Sequence, residues 1–404
     1  MTLSKLPLRF VLLPGLLGLS VAATAQNNPN TITTAVPILT LSPDARSAAL
    51  GEAGVAISPD ANSSYYNAGK LGFVTHKYSV SPSYSPWLRG VTDDMGLAYL
   101  SGFAKLGQRS AISGSLMYFD LGTIQYRDEN NTDKGDFNPK EYAVSVAYGQ
   151  KLSDNFGVGV AARYIRSNLT GSSLGNDAKP GNAAAVDLGA YYTKDLTIGP
   201  SDYNLAFGAA IANIGNKITY TDPVQADFLP TNLKIGTAIT RELDAYNKIT
   251  LTVDANKLLV PTPYYFVGDS AGRGKEVTAL IKSKNDEIRA KSIVGGIFGS
   301  FSDAPGGFSE ELKEINLSAG MEYWYNDLLA ARVGYFYENK DKGDRQYLSF
   351  GLGVRYQVFG VDGTYLVPNS RANPLSQTIR VSLHFNFNKF EEAFGPGNDT
   401  APVN

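Results

Sequence analysis

Ser382 and His384 stand two residues apart and could supply a nucleophile and its base. A serine hydrolase needs hydroxyl, imidazole and an orienting group in hydrogen-bond contact. On a strand, residues two apart share a face but lie about 6.6 Å apart along it, at roughly 3.3 Å of rise per residue. The pair therefore reads as polar lining rather than a catalytic dyad. His76, the other histidine, falls near the first expected strand and reads as interfacial. The sequence has no His-Glu-x-x-His zinc motif, no Gly-x-Ser-x-Gly elbow and no phosphate loop. The acidic run from Asp128 to Asp133 lacks the ligand spacing of a calcium-binding EF-hand and reads as a solvated loop. With no cysteine, the chain has no disulfide, thiolate metal site or cysteine lipid anchor. These readings predict no enzyme, no cofactor and no metal.

The remaining chemistry is charge. Arg163, Arg332, Arg355 and Arg380 alternate with apolar residues, and so do Asp187, Asp254, Glu322 and Asp362. Unpaired buried charge is costly, so matched numbers of the two signs predict pairs. Arg355 and Asp362 flank a tight turn near Val358, where a hairpin would bring them face to face. Such pairs could seat an inserted segment, or simply line a wet channel.

The elements that position these charges follow a period of two. Phe156, Val158, Val160, Ala162 and Tyr164 alternate with Gly157, Gly159, Ala161 and Arg163. Ile379, Val381, Leu383, Phe385 and Phe387 alternate with Arg380, Ser382, His384 and Asn386. The less apolar face is mostly Gly, Ala and Ser, not the Lys and Glu that water would favour, which points to a membrane-spanning barrel. Strands are predicted at 77–84, 95–104, 110–120, 140–150, 155–166, 184–193, 203–213, 231–240, 247–256, 314–324, 328–338, 347–357, 359–366 and 377–388. Short turns alternate with long loops, the longest at 257–313. Short turns belong on the periplasmic side and long loops outside. An apolar stretch at 292–300 would break this alternation as a strand, and is read as part of the long loop. Aromatic clusters such as Tyr191-Tyr192, Tyr323-Trp324-Tyr325 and Tyr335-Phe336-Tyr337 are read as interfacial girdles.

The ends differ from this body. Lys5 and Arg9 precede the apolar stretch from Phe10 to Ala22 and the small-residue site Ala23-Thr24-Ala25. This reads as an export signal over residues 1–25, with a mature chain from Gln26. Without it the net charge is −4, which gives no basic footprint for nucleic acid. Residues 26–75 do not alternate. Pro37, Gly51 and Gly54 interrupt them, and Ile38, Leu39, Leu41, Leu50, Val55 and Ile57 supply apolar groups. A barrel of this size has room that wall side chains cannot fill, so the segment is expected to be a hatch inside it, with 27–34 as a periplasmic arm. Residues 76–388 form the barrel, and 389–404 a flexible periplasmic tail.

Ser42-Pro43-Asp44-Ala45-Arg46, Gly51-Glu52-Ala53-Gly54 and Tyr65-Tyr66-Asn67-Ala68-Gly69 resemble the hatch of FadL-like barrels, with Ala68 where that family usually has proline. Ala35-Val36-Pro37-Ile38-Leu39, the run Asp303, Ala304, Pro305, Gly306, Gly307, Phe308, and Glu322-Tyr323-Trp324-Tyr325 resemble more closely the PorV (LptO) family of Bacteroidota. The resemblance implies an all-β, 14-stranded antiparallel transmembrane β-barrel with an N-terminal hatch, in the outer membrane. It implies a non-enzymatic part in type IX secretion. Partners would be the SprA (Sov) translocon, the C-terminal signal domains of cargo, the attachment complex of PorU, PorQ and PorZ, and outer-membrane lipid. Within it, Asp303–Phe308 is the candidate partner-binding turn, presenting Phe308 as an apolar anchor. Pro37, Asp44, Arg46, Gly51, Gly54 and Asn67 are the candidate hatch residues, and Arg355, Asp362, Arg332 and Glu322 the candidate lumen charges. The alternative function is FadL-like transport of hydrophobic small molecules.

Overall fold

The computed structural model describes residues 30–89, 92–127, 130–169, 179–220, 226–266, 274–369 and 378–388. The expected export signal and C-terminal tail lie outside these residues. Sixteen strands are formed: β1 (Tyr78–Pro86), β2 (Met95–Lys105), β3 (Ser110–Leu121), β4 (Ile124–Arg127), β5 (Asp133–Phe137), β6 (Lys140–Lys151), β7 (Phe156–Asn168), β8 (Gly181–Ile198), β9 (Ser201–Gly215), β10 (Asn232–Glu242), β11 (Asn247–Leu258), β12 (Ile315–Tyr325), β13 (Leu329–Tyr337), β14 (Gln346–Tyr356), β15 (Phe359–Pro368) and β16 (Ile379–Phe387). Fourteen close into one antiparallel barrel, sealed where β1 pairs with β16. These are the fourteen expected from the alternation.

β4 and β5 form a separate two-stranded ribbon in the connection after β3. The long loop expected there thus carries a short hairpin. β8 and β9 also run past their neighbours toward Gly199, so a longer hairpin stands where strands ending at 193 and starting at 203 were expected. Its tip residues Lys194, Asp195 and Thr197 are exposed and carry no apolar alternation.

The outward face of the wall is apolar, as at Leu188, Ile235, Leu251, Phe350 and Val381. This belt suits a bilayer. Short turns lie at one end; at Asn326 and Asp327 both φ angles are positive, the geometry of a tight hairpin turn. Long loops lie at the other end. The longest carries α3 (Gly274–Ala290), α4 (Ile293–Gly299) and α5 (Phe308–Lys313). The apolar stretch at 292–300 is thus a helix, with Ser292 as its cap.

The aromatic clusters do not act as whole girdles, because alternation splits them. Tyr191 points inward against Phe73, with ring centres 5.2 Å apart. Phe336 is buried and stacks on Tyr347.

Residues 35–74 fill the lumen, with helical turns at Pro37–Thr40, Ala45–Ala49, Ser63–Tyr66 and Ala68–Phe73. The small residues of the inner wall are explained by this plug. A Cβ at Gly334 would lie 2.0 Å from the Gly51 nitrogen, and one at Gly159 would lie 2.3 Å from the Ala68 carbonyl carbon. Residues 30–35 are not a periplasmic arm. The Asn30 N–H donates to Asp341 O at 2.7 Å, and the Ala35 N–H to Phe228 O at 2.9 Å, both in long loops. The chain therefore enters at the long-loop end and crosses to the short-turn end before β1.

Candidate functional site

The lumen charges converge near the short-turn end. Glu322 on β12 and Arg332 on β13 are directly paired in register. The Arg332 Nε donates to Glu322 at 2.6 Å, and its Nη1 to Asp362 at 2.9 Å. Asp362 also takes Arg355 at 2.6 Å and His384 at 2.8 Å. Gly353 makes room for this crossing, since a Cβ there would sit 2.3 Å from the Asp362 carboxylate. Ser382 instead bonds Ser83 at 2.7 Å and takes the Ala45 N–H at 2.8 Å. His384 therefore has a carboxylate neighbour, while the serine serves the hatch.

The hatch binds this network through Arg46. Its Nε and Nη2 grip the two oxygens of Glu322 at 2.9 and 2.8 Å, and Nη1 reaches Asp60 at 2.9 Å. Such a two-point grip fixes geometry as well as charge. Asp254 accepts the backbone N–H groups of Gly54 and Val55 at 2.7 and 2.9 Å. Ser349 takes the N–H of Gly51 at 3.1 Å, and Arg380 donates to Ser42 O at 2.6 Å. Asn67 donates to Ala190 O at 2.8 Å, and its side-chain oxygen takes the Gly69 N–H at 3.0 Å. That asparagine caps the turn in the place where the expected proline is missing.

Asp44 caps the helical turn Ala45–Ala49 and takes the Tyr66 hydroxyl at 2.6 Å. Pro37 opens the first turn beside Val36, whose φ is +50°. Burial pushes the Lys70 ammonium down to about 8, and its Nζ donates to Gly54 O at 2.8 Å. Arg163 pairs with Asp187 at 2.7 Å and lies 5.8 Å from the Tyr65 ring centre. Arg355 bonds Asp362 and nearby wall carbonyls, and no hatch atom among the described contacts.

At the long-loop end a second buried cluster ties four segments together. Glu314 accepts Lys257 at 2.6 Å, Lys342 at 3.0 Å and the Thr262 hydroxyl at 2.7 Å. Glu311 takes Lys257 at 3.0 Å and the Ala304 N–H at 2.8 Å. Glu310 takes Lys342 at 2.5 Å, Asn30 at 3.0 Å and the Gly306 N–H at 2.7 Å. Against its burial, the bonds from Lys342 and Asn30 hold the Glu310 carboxyl below its ordinary value. Asp303 pairs with Lys291 at 3.3 Å, and burial raises its carboxyl.

The expected turn is thus pinned from below. Gly307, at φ +71°, starts α5, a conformation that suits glycine. Phe308 follows it with 76% exposure. Phe298 is 74% exposed, Val294 63%, and Phe301 and Leu312 about half exposed. The sequence reading named only Phe308 of this group. A short apolar helix in a loop has the same composition whether its side chains face in or out. The glutamates and lysines that pin the turn come from three separate segments, and no local spacing announces them.

The sequence model of the PorV family, described as type IX secretion system protein PorV, matches residues 23–265. No curated protein matches the chain. Among solved structures, the chain is similar to the toluene transporter TbuX of Ralstonia pickettii, at 12% identity, covering 89% of this chain and 99% of that one, with a TM-score of 0.46. The toluene transporter TodX of Pseudomonas putida gives 11%, 85%, 98% and 0.47. A FadL homologue of Pseudomonas aeruginosa gives 10%, 86%, 99% and 0.40. The match over residues 23–265, with the closed fourteen-stranded barrel, identifies the chain as a member of the PorV family, outer-membrane barrel proteins of type IX secretion.

Proposed function

We propose that the protein is a non-enzymatic carrier in type IX secretion that binds through its outer loops while its barrel stays plugged. The observation that carries this reading is the exposed group Val294, Phe298, Phe301, Phe308 and Leu312, held on a loop pinned by buried ion pairs. Loops on a rigid scaffold commonly carry binding, and large apolar side chains left exposed on such a loop suit a protein contact. The translocon SprA (Sov) is the partner proposed for this surface. C-terminal signal domains of cargo are the second, handed on to PorU, PorQ and PorZ. Within the N-terminal arm and hatch of residues 26–75, residues 35–74 act as the hatch, and 76–388 act as the barrel, whose apolar belt meets outer-membrane lipid. Residues 1–25 act as the export signal and 389–404 as a periplasmic tail.

The test is affinity recovery of the tagged protein from its own outer membrane in mild detergent, with the bound proteins identified by mass spectrometry. A very large barrel, or proteins sharing a C-terminal β-domain, should come with it. Recovery alone with a bound apolar molecule would sink the reading. That second outcome would favour transport, for which one observation speaks: a cavity of about 420 Å³ remains above the hatch. The many bonds from wall to hatch speak against a freely moving gate.

A further inference from the structure

A groove of about 910 Å³ is cut into the outer wall near the short-turn end, across β16, β1, β2 and β3. It is a dent and leaves no gap, because β1 pairs with β2 from Tyr78 to Pro86, and β2 with β3 from Met95 to Lys105. One row of paired residues forms its floor and sides: Phe359, Phe385, Val80, Gly102, Gly114 and Val146. The two glycines lie between valines, so the trough is two strands wide, roughly 10 Å at the usual strand spacing. Aromatic contacts stiffen one side. Phe359 meets Phe385, and Tyr78 meets Phe387, each with ring centres 5.5 Å apart.

The two glycines differ in what they leave open. A Cβ at Gly102 would press on Ser79 O at 2.7 Å, whereas one at Gly114 would meet nothing within 4 Å. Gly159 and Gly334 make room for the plug. Gly114 faces outward, and the space it leaves belongs to the bilayer. Two lysines stand at the membrane-surface end of the groove. The Lys105 N–H donates to Lys77 O at 2.8 Å, next in register after Tyr78 and Ala104, so the two residues oppose each other. Like charges placed opposite one another repel. The Lys77 ammonium lies 5.5 Å from the ring centre of Tyr78, which lines the groove. A phosphate between the lysines would relieve the repulsion and accept charge-assisted hydrogen bonds.

We propose that this groove seats an acyl chain of one anionic phospholipid from the periplasmic leaflet, with its phosphate at Lys77 and Lys105. Short turns face the periplasm in barrels of this class, which sets the leaflet. An acyl chain brings no polar backbone, whereas a polypeptide in the groove would carry N–H and C=O groups into hydrocarbon. The site lies at the opposite end of the barrel from Phe298 and Phe308, so it stands or falls apart from partner binding there.

The full chain, stripped of lipid in detergent micelles, is given equal amounts of dioleoylphosphatidylglycerol and dioleoylphosphatidylethanolamine and read by native mass spectrometry. One phosphatidylglycerol should stay bound, preferred at least about fivefold, the gain expected for one lysine beside an anionic headgroup. Lys77→Met combined with Lys105→Met should remove the preference, and the matching pair of arginines should restore it. Gly114→Leu should displace both lipids by filling the trough, while Leu352→Trp, elsewhere on the belt, should change nothing. Equal retention of the two lipids, several lipids bound without saturation, an unchanged preference in the double methionine variant, or wild-type retention by Gly114→Leu would overturn the proposal. Should Gly114→Leu fail to form a heat-modifiable barrel, Val146→Trp decides, because it closes the trough from its edge. A chain ending at Asn388 should bind lipid as the full chain does. If only the shortened chain binds, the C-terminal tail fills the groove and the proposal falls.

Discussion

Near the short-turn end, Glu322 of the wall holds Arg46 of the hatch and Arg332 of the next strand. At the long-loop end, Glu314 holds Lys257 of the wall and Lys342 of another loop. Both are buried carboxylates bridging two cations from distant parts of the chain. The first pulls a segment into the lumen, so that Leu50, Ala53 and Ile57 are buried with it. The second fixes a loop whose apolar residues, Phe298 and Phe308, stay outside. Buried ion pairs are weak evidence for stability, yet removing one partner is costly because the other charge is stranded. The same device therefore holds a plug in the lumen at one end and keeps apolar side chains exposed on a fixed loop at the other.

The comparison breaks most sharply at Glu322. Glu322→Ala leaves Arg46 and Arg332 without their shared carboxylate, a loss of about 3–5 kcal/mol for a broken buried pair. Hatch residues should become open to protease, and planar-bilayer conductance should rise at least tenfold. Glu314→Ala should cost less, since its partners keep Glu310 and Glu311, on the order of 1–3 kcal/mol. Hydrogen exchange should speed up across 303–314 and 338–345 and leave the hatch unchanged. Arg355→Met should be milder still, because Asp362 keeps Arg332 and His384 and no hatch contact is lost. Hatch protection close to wild type is the expected result. The sequence allowed Arg355 either to seat the hatch or to line a wet lumen; its bonds among the described residues are to the wall, and Arg46 is the hatch side chain that grips Glu322.

The pH dependence of the hatch offers a smaller effect. Lys70 has its pKa lowered by burial to about 8 from an ordinary value near 10.5. A buried cation of this kind costs stability in full below about pH 8. The cost is relieved as pH rises from about 8 toward 10.5, because the folded state loses its proton first. Hatch protection should strengthen over that window in the wild type more than in Lys70→Met, read by protease digestion at each pH.

Much of the barrel was legible because lipid imposes a strict rule: outward positions must be apolar, and strands therefore alternate. The rule fades where lipid does. The extra length of β8 and β9 at Lys194–Ile198 carries no such pattern, and the aromatic clusters were read as one-sided although Tyr191 and Phe336 turn inward. The hatch was legible as a block of apolar residues in a chain of strands. Its attachments were not, since Arg46 and Glu322 are 276 residues apart. At the candidate site the Pro-Gly turn and Phe308 could be seen, whereas the buried Glu310–Glu311–Glu314 clamp and the exposure of Phe298 depend on three loops meeting in space.

The most direct test places a photo-crosslinking residue at Phe298 or Phe308 in living cells, with Leu352 on the lipid-facing wall as control. Protein adducts are expected at 298 and 308, to a very large outer-membrane barrel or to secreted proteins with a shared C-terminal domain, and only lipid adducts at 352. Lipid adducts alone at 298 and 308, with the barrel correctly assembled, would contradict it.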